Sequence, residues 1–197
     1  MKKLIPAIAL LIGAYGAFGQ GVVNFRNENL QSLPGDRLIR MPDNTTPVIG
    51  TTYTVQLFYG SDPASLAPHT VLAYFRPSLT PGTWSGANRT LANTAAPPPP
   101  DPVTGAAGVG PVVWMQVRAW DAGTGRTLTY DQARAQGGLW GQSIVYSYQQ
   151  KSSSPPDLIN DTMMRNFLGF SLVPEPSVIG LGLIGIGALF MLRRRKA

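Results

Sequence analysis

The sequence predicts an all-β protein with a single antiparallel domain, a β-sandwich or jelly-roll-like fold. Short segments alternate apolar and polar residues with the period of two that is expected of a strand. Turn-forming residues separate these segments, with 22 glycines and 18 prolines among 197 residues. The 3.6-residue periodicity of an amphipathic helix is nearly absent. Many short strands between such turns are typical of sandwiches and jelly rolls.

The predicted strands begin with residues 21–25 (GVVNF). Residues 51–59 (TTYTVQLFY) place apolar or aromatic residues at the odd-numbered positions from 53 onward and polar residues at the even-numbered positions up to 56. Residues 70–75 (TVLAYF) are a shorter β-rich segment. A long proline-rich loop is expected at residues 96–111, before the second half of the domain.

The longest predicted strand covers residues 112–120 (VVWMQVRAW). Its odd-numbered residues are apolar and form one face, whereas Trp114 and Trp120 lie on the other face with polar residues between them. The glycine-rich sequence DAGTGR that follows predicts a turn. The next residues, 127–130 (TLTY), are expected to return from that turn as a hairpin partner.

Two further strands are predicted at residues 143–148 (SIVYSY) and 166–173 (NFLGFSLV), near the end of the domain. The one helical candidate is DQARAQG, a turn or two long, with Asp131 as its N-cap and Gly137 as its C-cap. These elements place the whole β-domain within residues 20–173.

The formal net charge of +6 comes from the two ends of the chain. Two lysines follow Met1, and four cations stand at the C-terminus, whereas the ten basic residues between them balance the ten acidic ones. The domain therefore lacks a basic stripe for a phosphate backbone, which argues against nucleic-acid binding. The absence of cysteine excludes disulfides, thiolate metal sites and a cysteine nucleophile. The C-terminal cations are Arg193, Arg194, Arg195 and Lys196.

The N-terminal sequence MKKLIPAIALLIGAYGAFG has the three parts of a secretory signal peptide. The lysines precede an apolar segment, and Ala17 and Gly19 occupy the −3 and −1 positions if cleavage falls before Gln20. We therefore predict a signal peptide at residues 1–19 and export by the Sec machinery. The alternative is a buried N-terminal helix, which explains neither the lysines nor the small residues at the end.

Near the C-terminus, residues 178–192 form an apolar segment without a polar or charged residue. Its 15 residues are fewer than the roughly 20 that a helix needs to cross a bilayer core. The arginines that follow can extend to the lipid headgroups and lengthen the span. We predict a transmembrane helix here, with the basic tail at 193–196 on the cytoplasmic side. The alternative is a buried core helix, which four consecutive cations at its end disfavour.

Residues 174–197 begin with Pro174, Glu175 and Pro176, continue with the apolar segment and end on the basic tail. In this order they resemble the C-terminal sorting signal of PEP-CTERM proteins. In that family the Pro-Glu-Pro motif is the recognition site of an exosortase, a membrane-embedded transpeptidase-like enzyme that handles proteins exported by bacteria that make extracellular polysaccharide. The alternative is a plain proline-rich juxtamembrane linker.

The resemblance implies a precursor anchored in the inner membrane and a mature form at the cell envelope, on the surface or in the extracellular matrix. There is also a physical reason for the motif. Two prolines remove backbone donors and helical freedom, so the segment stays extended and open to a processing enzyme.

Few side chains of the domain suit catalysis. His69 is the single histidine and stands in a sequence without a nucleophile elbow, so a surface or strand-edge position is expected rather than a catalytic triad. Asp121 and Asp131 could serve as the carboxylate pair of a glycosidase, but a turn residue and a helix cap explain them better. No metal-ligand pattern, phosphate loop or dinucleotide fingerprint appears, so no metal or cofactor is expected.

The tryptophans offer a binding surface instead. Trp114 and Trp120 share a predicted strand face with polar residues, which makes them candidate glycan-contact residues of a carbohydrate-binding module for extracellular polysaccharide. The alternative is that they are core and rim residues of the domain.

The sequence thus favours an exported, exosortase-sorted protein of the cell envelope or extracellular matrix with a non-catalytic β-domain in a structural or binding role. A carbohydrate-binding module is the alternative hypothesis. A surface hydrolase that uses Asp121 or Asp131 is the third.

Overall fold

The computed structural model describes residues 21–30, 33–76, 80–91, 109–151 and 163–174. Their regular secondary structure is almost entirely β-strand, which confirms the all-β prediction. Within them, no helix has the length and hydropathy to span a bilayer. The predicted signal peptide and the predicted transmembrane helix both lie outside the described residues.

The helical elements of the described residues are a single 3-10 turn (Glu28–Leu30) and α1 (Tyr130–Ala135). The strands, in chain order, are β1 (Gly21–Asn24), β2 (Ile39–Arg40), β3 (Tyr53–Gly60), β4 (Ala67–Pro68), β5 (Ala73–Phe75), β6 (Trp84–Ser85), β7 (Asn88–Leu91), β8 (Val109–Asp121), β9 (Leu139–Gln142), β10 (Tyr146–Lys151), β11 (Phe170–Ser171) and β12 (Val173–Pro174).

The main sheet is built around β8, which begins at Val109, inside the predicted proline-rich loop. Strand β3 runs antiparallel along one edge of β8, and β9 and β10 follow each other along the other edge. Strands β5 and β6 continue the sheet beyond β3, and β12 continues it beyond β9. The path of the sheet is therefore β12-β9-β8-β3-β5-β6, with β12 at an edge.

One face of the main sheet carries the larger core. Val55 and Leu57 of β3 and Met115 and Val117 of β8 are fully buried on this face, as their alternation with polar residues predicts. The antiparallel pair β1–β7 and the parallel pair β2–β11 supply further residues of the same cluster. These two small sheets therefore share one core cluster with the inner face of the main sheet.

Aromatic rings fill the centre of this core. The Trp84 ring lies 5.4 Å from the Phe25 ring and 5.5 Å from the Phe167 ring, measured between centroids. The Trp84–Phe167 pair is edge-to-face, the arrangement that aromatic quadrupoles favour. The indole Nε1 of Trp84 donates to the carbonyl of Phe25 at 3.2 Å, so the buried donor is satisfied.

The predictions for the helix and its approach were wrong in detail. TLTY does not return as a strand, because the Thr129 side chain caps α1 by accepting from the Gln132 amide, while the Gln132 side chain accepts from the Thr129 amide. This capping box satisfies two amide donors at the start of the helix, which have no partner within the helix itself. Asp131 therefore lies in the first turn, Gln136 is the C-cap, and Gly137 follows with φ of 75°.

A buried side-chain amide joins three separate segments. Asn27 is fully buried, and its Nδ2 donates to the carbonyls of Arg37 at 2.8 Å and Gly82 at 3.0 Å. Its Oδ1 accepts from the backbone amide of Trp84 at 2.9 Å. Both polar ends of the amide are therefore used inside the core.

We expect Asn27→Ala to destabilise the full-length chain, because it removes the side-chain partners of the Arg37 carbonyl and the Trp84 amide and one of the two donors to the Gly82 carbonyl. The free energy of unfolding should fall by on the order of 3 kcal/mol, measured by urea unfolding in detergent. Asn88→Ala removes an exposed amide from β7 and serves as the matched control. Equal losses in the two variants would contradict the role of Asn27.

Candidate functional site

The last described residues lead the chain from the core to the Pro-Glu-Pro sequence. Leu172 is fully buried, and its amide donates to the carbonyl of Arg40 at 2.8 Å. Val173 is 43% exposed and Pro174 is exposed, and together they form β12 at the edge of the main sheet. Only these two residues separate the interior from Glu175, which lies outside the described residues with the rest of the tail.

Strand β12 pairs antiparallel with β9, with Val173 opposite Trp140 and Pro174 opposite Leu139. An edge position suits Pro174, because proline cannot donate to a second neighbouring strand. On β9, a Cβ atom at Gly141 would lie 2.8 Å from the carbonyl oxygen of Ser171. A glycine is therefore needed where the exit segment approaches β9.

The exit segment, residues 163–174, is bonded to the segment around β2. Arg37 is buried and donates from Nη1 to the carbonyl of Phe167 and from Nη2 to that of Pro34 at 2.9 Å. Burial lowers the pKa of the Arg37 guanidinium. The Gly169 amide donates to the carbonyl of Asp36 at 2.8 Å, and β11 then pairs with β2. The segment before the motif is therefore fixed to the folded domain along most of its length.

On the outer face of the main sheet, Trp120 is closed off. It is 1% exposed and packs with Ala122, Tyr130 and Ala133 in a small second cluster beneath α1. Its Nε1 donates to the carbonyl of Leu128 at 2.8 Å. The predicted glycan contact at Trp120 therefore has no open ring face in this structure.

Trp114 lies on the same outer face, beyond the cover of this second cluster. It is partly exposed, and its neighbours across the sheet are Gly60 of β3 and Ser147 of β10. Trp114 is thus the member of the predicted pair that a ligand can reach, and glycan contact stays a prediction.

Arginine side chains lie flat on aromatic rings of the outer face. The guanidinium carbon of Arg118 is 3.8 Å from the Phe58 ring centroid and 5.1 Å from that of Tyr130. Its Nε donates to Oε1 of Gln116 at 3.0 Å, which fixes the orientation of the fork. Burial raises the pKa of Tyr130, and the positive charges of Arg118 and Arg134 oppose that shift.

Two more cations repeat this stacking. The guanidinium carbon of Arg126 is 3.8 Å from the Tyr74 ring centroid, and that of Arg134 is 4.7 Å from the Trp140 ring centroid. Sequence reasoning missed these pairs, because Arg126 and Arg134 come from the turn and from α1 and meet their rings only in the fold. Of the three stacked arginines, only Arg118 could have been assigned to the outer face from the sequence, because it lies an even number of residues from Trp114 on the same strand.

The side chains considered for catalysis have local roles in the structure. His69 is buried at the end of β4, and its Nδ1 accepts from the Val71 amide at 3.0 Å. Burial, with a smaller contribution from the charge of Arg89, lowers the His69 pKa. Asp121 accepts from the Gly123 amide at 3.0 Å, as a turn residue does, and Asp131 is exposed on α1. The described ranges contain no group of three potential metal ligands among His, Cys, Asp and Glu.

Residues 172–196 match the family model of the PEP-CTERM protein-sorting motif, so the C-terminal tail carries this sorting signal. The motif supports an exported, envelope-associated protein that an exosortase processes. The match begins at Leu172, the last buried residue before the chain emerges at the sheet edge. No curated protein and no solved structure shows significant similarity to the chain.

The two tryptophans should differ in their effect on stability. Trp120→Ala should lower the free energy of unfolding by about 3–5 kcal/mol, because it opens a cavity in the second cluster. Trp114→Ala, the matched control on the same strand face, should cost less than half as much. Urea unfolding of the full-length chain in detergent measures both values. A larger loss for Trp114 than for Trp120 would contradict the assignment of the buried and open rings.

Proposed function

We propose that the chain is the precursor of a non-catalytic protein of the cell envelope or extracellular matrix, and that its tail is a sorting address and a temporary anchor. The observation that supports this most directly is the exit geometry. The chain passes from buried Leu172 to the Pro-Glu-Pro motif within two residues, at an exposed sheet edge. The domain and its sorting signal are therefore joined without an intervening linker.

In this proposal the signal peptide at residues 1–19 starts export through the Sec machinery. The apolar segment at 178–192 then holds the exported chain in the inner membrane. The basic tail at 193–196 stays on the cytoplasmic side, because cations are costly to carry across. This orientation places Pro174, Glu175 and Pro176 just outside the membrane, where exosortase acts on them.

The exit geometry also suits a processing enzyme that binds an extended segment. Strand β12 contributes two residues to the edge of the sheet, so it can leave β9 at small cost. The buried Leu172 and the bonds from Arg37 hold the preceding residues in place. Processing would thus expose the motif without unfolding the domain.

We further propose that the β-domain is an antiparallel sandwich. The main sheet is one layer, and the β1–β7 and β2–β11 pairs form the opposing layer across the larger core. The parallel pairing of β2 with β11 is the departure from a purely antiparallel arrangement.

The second candidate function is carbohydrate binding on the outer face of the main sheet. Partly exposed Trp114 favours it, because a flat indole beside small and polar neighbours can stack on a sugar ring. The third hypothesis, a hydrolase, has no comparable support, since the Asp121 carboxylate is used within a turn.

Replacing Pro174, Glu175 and Pro176 with alanine should leave full-length protein in the inner membrane of the native cell, because the exosortase loses its recognition site. The measurement is membrane fractionation together with the C-terminal peptide mass of the surface-exposed form.

The matched control replaces Pro155, Pro156 and Asp157 with alanine, which removes two prolines and one carboxylate outside the motif. This control should be processed normally. Recovery of residues 192–197 on the surface-exposed wild-type protein would show a permanent anchor and contradict the proposal.

A further inference from the structure

Arg118 is a cation of the outer face whose orientation is set by neighbouring side chains. It is half-buried, lies on the Phe58 ring and is oriented by Gln116. The ion pairs among the described residues join Arg40 to Asp36 and Arg76 to Glu28, so no described carboxylate pairs with Arg118. A partly desolvated charge is favourable only when something compensates it. An external anion would complete this arrangement.

The shape of the guanidinium favours a carboxylate as the bound anion. Its planar fork of N–H donors matches a carboxylate in a bidentate geometry. Because Nε is already bonded to Gln116, the terminal nitrogens are the donors that remain for a ligand. A carboxylate at this position gains two charge-assisted hydrogen bonds beside an aromatic ring.

Trp114 lies on the same strand face, four residues from Arg118. At about 3.3 Å per residue, the two Cα atoms are roughly 13 Å apart. Gln116 between them is buried and donates to the carbonyl of Ser143 at 3.1 Å, so it does not rise between the two side chains. A ligand longer than one sugar ring can therefore reach both the indole and the guanidinium.

The charge of this side of the domain is positive. Arg126 adds its cation over the Tyr74 ring and Arg134 over the Trp140 ring. The carboxylates nearest in sequence are Asp131 on α1 and Asp121 in the turn. The Asp121 carboxylate accepts from the Gly123 amide, so it is directed into its own turn. The outer face therefore favours a negatively charged partner.

We propose that the outer face of the main sheet binds an acidic polysaccharide. The carboxylate of a uronate unit pairs with Arg118, and a sugar ring further along the same polysaccharide chain stacks on Trp114. This inference rests on the carbohydrate-binding candidate and specifies its ligand class. A neutral glycan would use Trp114 and leave the Arg118 charge unpaired.

The test measures binding of the full-length chain, in detergent, to polygalacturonate and to neutral dextran by isothermal titration. Arg118→Gln should weaken polygalacturonate binding about tenfold or more, since it removes a charge-assisted pair. Trp114→Ala should weaken it by a similar factor. Arg40→Gln is the matched control, because it removes the same charge from β2 in the opposing layer and should leave the affinity unchanged.

Arg118→Lys is the control for a folding defect. It keeps the charge but loses the planar fork, so its affinity for polygalacturonate should lie between those of wild type and Arg118→Gln. Equal weakening by Arg118→Gln and Arg40→Gln would overturn the proposal, as would equal affinity for single-stranded DNA. Dextran binding that needs Trp114 but not Arg118 would sustain the carbohydrate-binding function and overturn the acidic ligand. Failure of the wild-type chain to bind either glycan would overturn both.

Discussion

The domain is held together by a closed circuit of contacts through four buried residues: Asn27, Arg37, Phe167 and Trp84. The Asn27 amide bonds the carbonyl of Arg37, and the Arg37 side chain bonds that of Phe167. The Phe167 ring packs against the Trp84 ring, and the backbone amide of Trp84 donates to Oδ1 of Asn27. Residues far apart in the sequence thus fix one another. The segment that leads to the sorting signal belongs to this circuit, so its position depends on the same buried polar contacts as the core.

Strand β8 separates two environments that differ in chemistry. Its odd-numbered side chains, such as Met115 and Val117, pack into a core of aliphatic and aromatic residues. Its even-numbered side chains face arginines stacked on aromatic rings, a small cluster under α1 and an open indole. The inner face needs only hydrophobic packing. The outer face combines charge, hydrogen-bond donors and ring surfaces, a combination that packing alone does not require.

Alternation predicted β3 and β8 and the inward face of each, because period two is a property of the strand itself. It could not predict the buried partners of Asn27, which lie 10 and 55 residues away along the chain. Nor could it predict that β10 begins only at Tyr146. Ser143 follows β9 instead, where its amide donates to the Val117 carbonyl and its hydroxyl accepts from the Val117 amide. The Pro-Glu-Pro tail was recognisable from residues alone, since its information lies in a short linear order. The closed position of Trp120 depends on α1, whose N-cap is Thr129 and not the predicted Asp131.

The short exit through β12 keeps the folded domain directly beside the sorting motif. A cut within the motif would leave at most a few residues beyond Leu172, far too few for a flexible tether. If the cut end is joined to an envelope component, a domain held so closely would have little freedom to rotate about that point.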